Sequence, residues 1–211
     1  GALDVGATEI NDAMQLACIE GIAALARATT SAEAAAAYRG ERLTFGPDYL
    51  IPKPFDPRLI LEIAPAERGA PVEFAAELFD GTPVTGASLR GTPALLNFWY
   101  AACAPCRVEA PHLVSLHEQF APQGVRFLGV NVRDTVTTAQ AFERTFEIPY
   151  PSIEDARGDV LLNMTDYVPP QAVPSTLVLD VEGRVAARVL GAVEESTLRA
   201  LLTTVVDEAA A

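Results

Sequence analysis

The sequence predicts an α/β fold: a mixed central sheet flanked by helices, preceded by an N-terminal segment of helical and extended text. Three observations predict it. The apolar run at residues 94–100 has the length and composition of a buried strand, and it leads within a few residues into a helical pattern carrying Val108, Leu113, Leu116 and Phe120. A second strand signal at 125–130 follows that helix, and a ββα series closes the chain, so the order is βαβ, further helices, then ββα. Upstream of about residue 67 the text is Ala-rich and helical; downstream of it strands and turns begin.

Each element has its own warrant. Thr8 is placed to cap a helix over 9–28, whose apolar stripe is Ile10, Ala13, Met14, Ala17, Cys18, Ile22 and Leu25. Cys18 on that stripe reads as a buried, inert thiol. Residues 31–38 form a second short helical piece. Pro47, Pro52, Pro54 and Pro57 then break the chain into an extended run, followed by a helical turn or two at 58–64. The boundary falls at 67–71, giving segments 1–66 and 72–211. In the second segment, 72–79 reads as a strand and Asp80-Gly81-Thr82-Pro83 as a turn, leading through Val84 to a short piece at 88–90. The strand at 94–100 hands over to a helix at 103–120. Gly124 precedes the strand at 125–130, and 137–146 has helical spacing. Pro149 and Pro151 bracket an extended link, and 159–164 is a short helix. Pro174 opens a strand at 175–180, Glu182-Gly183 turns it into an antiparallel partner at 184–190, and 194–208 is a closing amphipathic helix.

Composition narrows the function. Of 211 residues, 50% are apolar, enough for a sizeable core, yet no apolar run is long enough to span a membrane. A net charge of −13 argues against nucleic acid or an anionic membrane surface as partner. The opening residues show no signal-peptide pattern, and the chain begins at Gly1 rather than Met, so a processed or excised piece is expected. Three cysteines make one spaced pair plus Cys18, which is no disulfide scaffold.

The chemistry lies in C-A-P-C, Cys103 to Cys106, where a strand meets a helix. A helix N-terminus offers unpaired N–H groups and a partial positive charge, and both stabilise a thiolate. Cys103 at the helix mouth is therefore the expected nucleophile, and Cys106, one turn inside, the thiol that closes a disulfide with it. Pro105 fits the first turn, where its missing N–H costs nothing. A structural zinc site would need about four ligands. The chain's two histidines, His112 and His117, lie further along the same helix, so no metal is assigned.

Residues 1–66 resemble the C-terminal part of the bacterial malic enzyme family, through G-A-L-D-V-x-A-T-x-I-N-D-x-M and F-G-P-D-Y-L-I-P-K-P-F-D-P-R-L-I-x-x-I-A-P-A. Those enzymes oxidatively decarboxylate malate with NAD(P) and a divalent metal, but the parts that do so would lie upstream of Gly1. The chain carries no G-x-G-x-x-G, and none of that family's catalytic residues maps onto a position here.

Residues 70–211 resemble thioredoxin-fold disulfide reductases of the TlpA/ResA-like group. The motifs are A-P-V-E-F, L-R-G-x-P-x-L-L-N-F-W, C-A-P-C-R-x-E-x-P, G-V-N-V and V-P-S-T-L-V-L-D-x-E-G-R. The resemblance implies a thioredoxin-like fold and a cis peptide bond between Val173 and Pro174, beside the cysteines and ready to pair with an incoming peptide strand. Val173, Pro174 and Trp99 are the candidate substrate-binding residues, and Phe98, Trp99 and Tyr100 read as core and rim packing. The resemblance also implies an acidic active-site position at Glu109, three residues after Cys106. There the carboxylate either shuttles protons for the resolving thiol or is a solvated surface charge; both readings stand at the sequence level. Two departures are visible. Ala102 stands where the group usually has Trp, which should leave the sulfur more open. Asn97 replaces the buried Asp of thioredoxins, in agreement with the subgroup. Residues 131–134, N-V-R-D, fall at a strand end near the site and read as a loop stabiliser.

The expected function is thiol–disulfide exchange on protein disulfides, in the reducing direction, with no cofactor. Its partners would be protein thiol or disulfide substrates and a redox partner; the oligomeric state is not legible. The same thiols presenting a metal, or an inactive malic enzyme fragment fused to a redox domain, are the alternatives. A peroxiredoxin is excluded, because no P-x-x-x-T-x-x-C appears. The redoxin resemblance implies an extracytoplasmic site, the malic enzyme resemblance the cytosol, and the cytoplasm stays open for the joined chain.

Overall fold

The computed structural model describes residues 68–192 and 194–210. Apart from Arg68, they belong to the second of two units into which the chain divides, Gly69–Ala211. The helices expected at 9–28 and 31–38, Cys18 and the proline-rich run lie outside the described residues.

The strands are β1 (Ala75–Glu77), β2 (Pro83–Thr85), β3 (Ala94–Trp99), β4 (Arg126–Asn131), β5 (Ser152–Glu154), β6 (Ser175–Leu179) and β7 (Val185–Leu190); the helices are α1 (Ala104–Phe120), α2 (Val136–Phe146), α3 (Asp159–Asn163) and α4 (Glu195–Ala210). Five strands form one mixed sheet in the order β5-β4-β3-β6-β7. β3 is parallel to β4 and antiparallel to β6, with Asn97 level with Gly129 on one side and Thr176 on the other. β1 and β2 make a separate antiparallel ribbon, which a single bridge from Leu78 to Ile153 ties to the edge of the sheet.

Why β3 reads as an uninterrupted apolar run is now plain: all six of its residues are buried, because both faces of the sheet are covered. Successive side chains alternate between those faces. Ala94, Leu96 and Phe98 join a core with Leu128, Val130, Leu177, Leu179 and residues of the ribbon and α3. Trp99 faces the other way, into a cluster with Cys103, Cys106, Ala110, Ala139 and Phe142. That second face also takes Asn97, which bonds to α1.

Three expectations are corrected. The strand expected at 72–79 is regular only over Ala75–Glu77, because β2 is three residues long and offers no more to pair with. The link after Pro149 holds β5, which the sequence reading missed; its Ser152, Ile153 and Glu154 pair with Gly129, Val130 and Asn131. Helix α1 begins at Ala104, not at Cys103, which is the residue capping it.

Candidate active site

Cys103 and Cys106 are joined in a disulfide, with Cα atoms 5.3 Å apart. The local sequence explains the geometry. Cys103 is extended (φ −72°, ψ 109°), so its side chain folds back over the first turn of α1 and its sulfur accepts the backbone N–H of Cys106 at 3.1 Å. A sulfur in the capping position therefore receives one of the helix's unpaired donors, which favours its thiolate once the disulfide is reduced. Pro105 lies in the first helical turn, as the sequence indicated.

The peptide bond between Val173 and Pro174 is cis. The Val173 carbonyl oxygen lies 3.9 Å from Cys103 Sγ. Val173 is also packed at the margin of the apolar cluster around the disulfide. Cys103 is consequently 2% exposed. This overturns the expectation that Ala102 would leave the sulfur more open. Ala102 is itself exposed, while Val173, Tyr100 and Ala101 pack against the apolar cluster that includes both cysteines.

Glu109 is 1% exposed, so the surface-charge reading fails. Its carboxylate accepts a hydrogen bond from Asn97 Nδ2 at 2.8 Å, and Asn97 also reaches Thr176 Oγ1 at 3.1 Å. With one helical turn between them, Glu109 and Cys106 lie on the same face of α1. A small cavity beside Cys106 is lined by Asn97, Trp99 and Tyr150. Tyr150 is buried there, and its phenol is pushed far above the usual range, first by burial and then by the carboxylates of Glu109 and Glu143.

Trp99, expected to touch substrate, is 5% exposed and stacks on Phe142 with ring centres 4.5 Å apart. It is the wall behind Cys106 rather than part of an open face. Room for its indole comes from Gly129: a Cβ there would lie 2.7 Å from Trp99 Nε1 and 2.2 Å from Ser152 Oγ. Glu143 Oε1 and Ser152 Oγ are both buried without a well-formed hydrogen bond. They are close enough for Ser152 to favour the ionised carboxyl, but burial outweighs that and raises the Glu143 pKa. Among the described residues, no group of three or more His, Cys, Asp or Glu is placed to hold a metal ion. None of the described helices is long and apolar enough to cross a membrane.

A sheet of this order, with a disulfide at the mouth of the helix after its central strand and a cis-proline beside it, defines a thioredoxin-like protein. Residues 68–188 match the AhpC/TSA family, and the chain belongs to it. The thiol:disulfide interchange protein HelX of Rhodobacter capsulatus is 34% identical over 154 residues, covering 72% of this chain and 83% of HelX. A crystal structure of a DsbF homologue from Corynebacterium diphtheriae superposes with a TM-score of 0.61 at 33% identity, over 66% of this chain and 88% of that one. The NADP-dependent malic enzyme of Escherichia coli is 59% identical over 73 residues, which is 35% of this chain. The chain spans only 10% of that enzyme's length. Both resemblances read from the sequence are thus present in one chain.

Proposed function

We propose that the chain is a thiol–disulfide oxidoreductase that reduces protein disulfides through Cys103 and Cys106. One observation carries this reading: a disulfide whose outer sulfur caps a helix and lies against the backbone of Val173. In the dithiol form, the Cys103 thiolate attacks a sulfur of the substrate disulfide. The Cys103–substrate bond forms as the substrate's own S–S bond breaks, and the departing thiolate takes up a proton. Cys106, giving its proton to Glu109, then attacks Cys103 Sγ. The internal disulfide closes and the second substrate thiol leaves. The pair loses two electrons and the substrate gains them; an external dithiol partner returns the enzyme to its reduced form.

Glu109 is the proton acceptor because it is on the Cys106 face of α1 and is held by Asn97. Val173 offers its backbone to an extended substrate segment, which must displace the side chains packed around Cys103. Pro174 fixes that backbone, and Trp99 backs Cys106. The redoxin unit, 72–211, is the working part, and 1–66 is dispensable for it. The site of action is extracytoplasmic, the compartment in which protein disulfides form. The test is turnover of a disulfide-bonded protein by the reduced full-length chain. Turnover that disappears in Cys103→Ser supports the proposal, and unchanged turnover in that variant overturns it.

A further inference from the structure

The turn between β3 and α1 is held in a way that the exchange chemistry does not require. Ala101 and Ala102 offer the core no more than a methyl group each, so the turn depends on backbone bonds. Ala101 N–H donates to Asp134 Oδ2 at 2.6 Å, and Arg107 Nη1 donates to the Ala101 carbonyl at 2.9 Å. An anion thus grips one end of Ala101 and a cation the other, matching the polarity of each group. Both grips are themselves fixed. Asn131 Nδ2 donates to the same Asp134 oxygen at 2.9 Å, and Asn131 Oδ1 accepts the Asp134 N–H at 2.8 Å. The Arg107 guanidinium lies over Phe146 and Phe142, at 5.4 and 5.9 Å from the ring centres. The next bond along the turn, Cys103 N–H to the Tyr100 carbonyl at 3.1 Å, leads directly to the sulfur.

We infer that Asp134 and Arg107 are positioning residues that hold Cys103 Sγ on the Cys106 N–H through Ala101, and so set the reactivity of the thiolate. This rests on the proposed exchange function. If the clamp loosens, Sγ samples positions away from the amide, and the thiolate loses stabilisation. The segments meeting the disulfide carry Tyr100 on the turn, Arg107, Glu109, His112, His117 and Glu118 on α1, Arg133 and Asp134 after β4, and Glu143 and Arg144 on α2, with Glu147 and Tyr150 beyond it. Losing the Asp134 anion by itself would stabilise the Cys103 thiolate, so a pure charge effect has the opposite sign to a positioning effect.

The test is the pH dependence of Cys103 alkylation by iodoacetamide, in reduced full-length chain carrying Cys106→Ser. Asp134→Ala is expected to move the midpoint up by about 1 pH unit. Asp134→Asn keeps an oxygen for Ala101 N–H and is expected to stay near the parent midpoint or fall below it. Asn131→Ala leaves the charge in place while freeing the Asp134 carboxylate, and is expected to move the midpoint up. It carries the test if Asp134→Ala does not fold, as read by thermal melting. The inference is overturned if the Ala and Asn variants of Asp134 fall together, or if Asp134→Ala and Asn131→Ala both keep the parent midpoint. Turnover of a protein disulfide by the chain with both cysteines intact is measured separately. Its absence would sink the exchange function and leave the clamp to be judged by alkylation; turnover without the midpoint shifts would sink only the clamp.

Discussion

The two sulfurs of one disulfide have opposite surroundings. Cys103 lies outside the first turn of α1, takes a helix N–H, and touches the backbone of Val173. Cys106 lies inside the helix and adjoins a cavity lined by Asn97, Trp99 and Tyr150, with Glu109 one turn away. Exposure does not separate them, since each is 2% exposed. What separates them is their surroundings: a helix N-terminus at one, a buried carboxylate one turn from the other. On the proposed function, attack and resolution would be assigned by backbone dipoles and a buried carboxylate, not by which sulfur meets more solvent.

The largest test of that asymmetry is to remove each sulfur in turn. Cys103→Ser should lower turnover at least about a thousandfold. Cys106→Ser should instead stop after the first exchange, leaving substrate linked to Cys103, visible on a non-reducing gel. Equal trapping by both variants would erase the distinction. Next in size, Glu109→Gln should slow the closing step about a hundredfold and let the mixed disulfide accumulate. If attack slows instead, the carboxylate serves the other sulfur.

A smaller effect probes Glu143, whose carboxyl oxygen is buried near Ser152. Burial raises the Glu143 pKa above its unfolded value. The native state therefore holds that proton more tightly, and stability is lost as pH rises from the unfolded carboxyl value, near 4.3, through the raised folded one. Glu143→Gln should have a higher Tm than the parent at pH 7, with the gap closing at pH 4. A gap that widens on acidification contradicts the sign. The smallest effect belongs to the outer rim: Val108, 65% exposed on α1, can be changed to Ser within about 0.5 kcal/mol of the parent stability, measured by urea unfolding.

How much of this was legible depended on how local each determinant is. β3, β4, β6, β7 and α1 were readable because apolar runs and helical spacing lie within one stretch of sequence. β5 was not, since Ser152–Glu154 is three residues after a proline and is a strand only by pairing with β4. The pairing of Cys103 with Cys106 was legible from spacing at a helix start. Burial of Glu109 was not, because its partner Asn97 is on another element and nothing in the helix's own pattern distinguishes it from a surface acid. The openness expected from Ala102 failed for the same reason. The cover over Cys103 comes from Val173, seventy residues away in the chain. N-V-R-D was legible as a loop stabiliser, but its hold on Ala101 was visible only in three dimensions.

The most direct test of the assignment is a competition between the two thiols. Reduced full-length chain is treated with less than one equivalent of iodoacetamide at pH 6, and the labelled cysteine is read by peptide mass spectrometry. The structure predicts label on Cys103 in clear excess over Cys106. Label on Cys106 at equal or greater yield would contradict it.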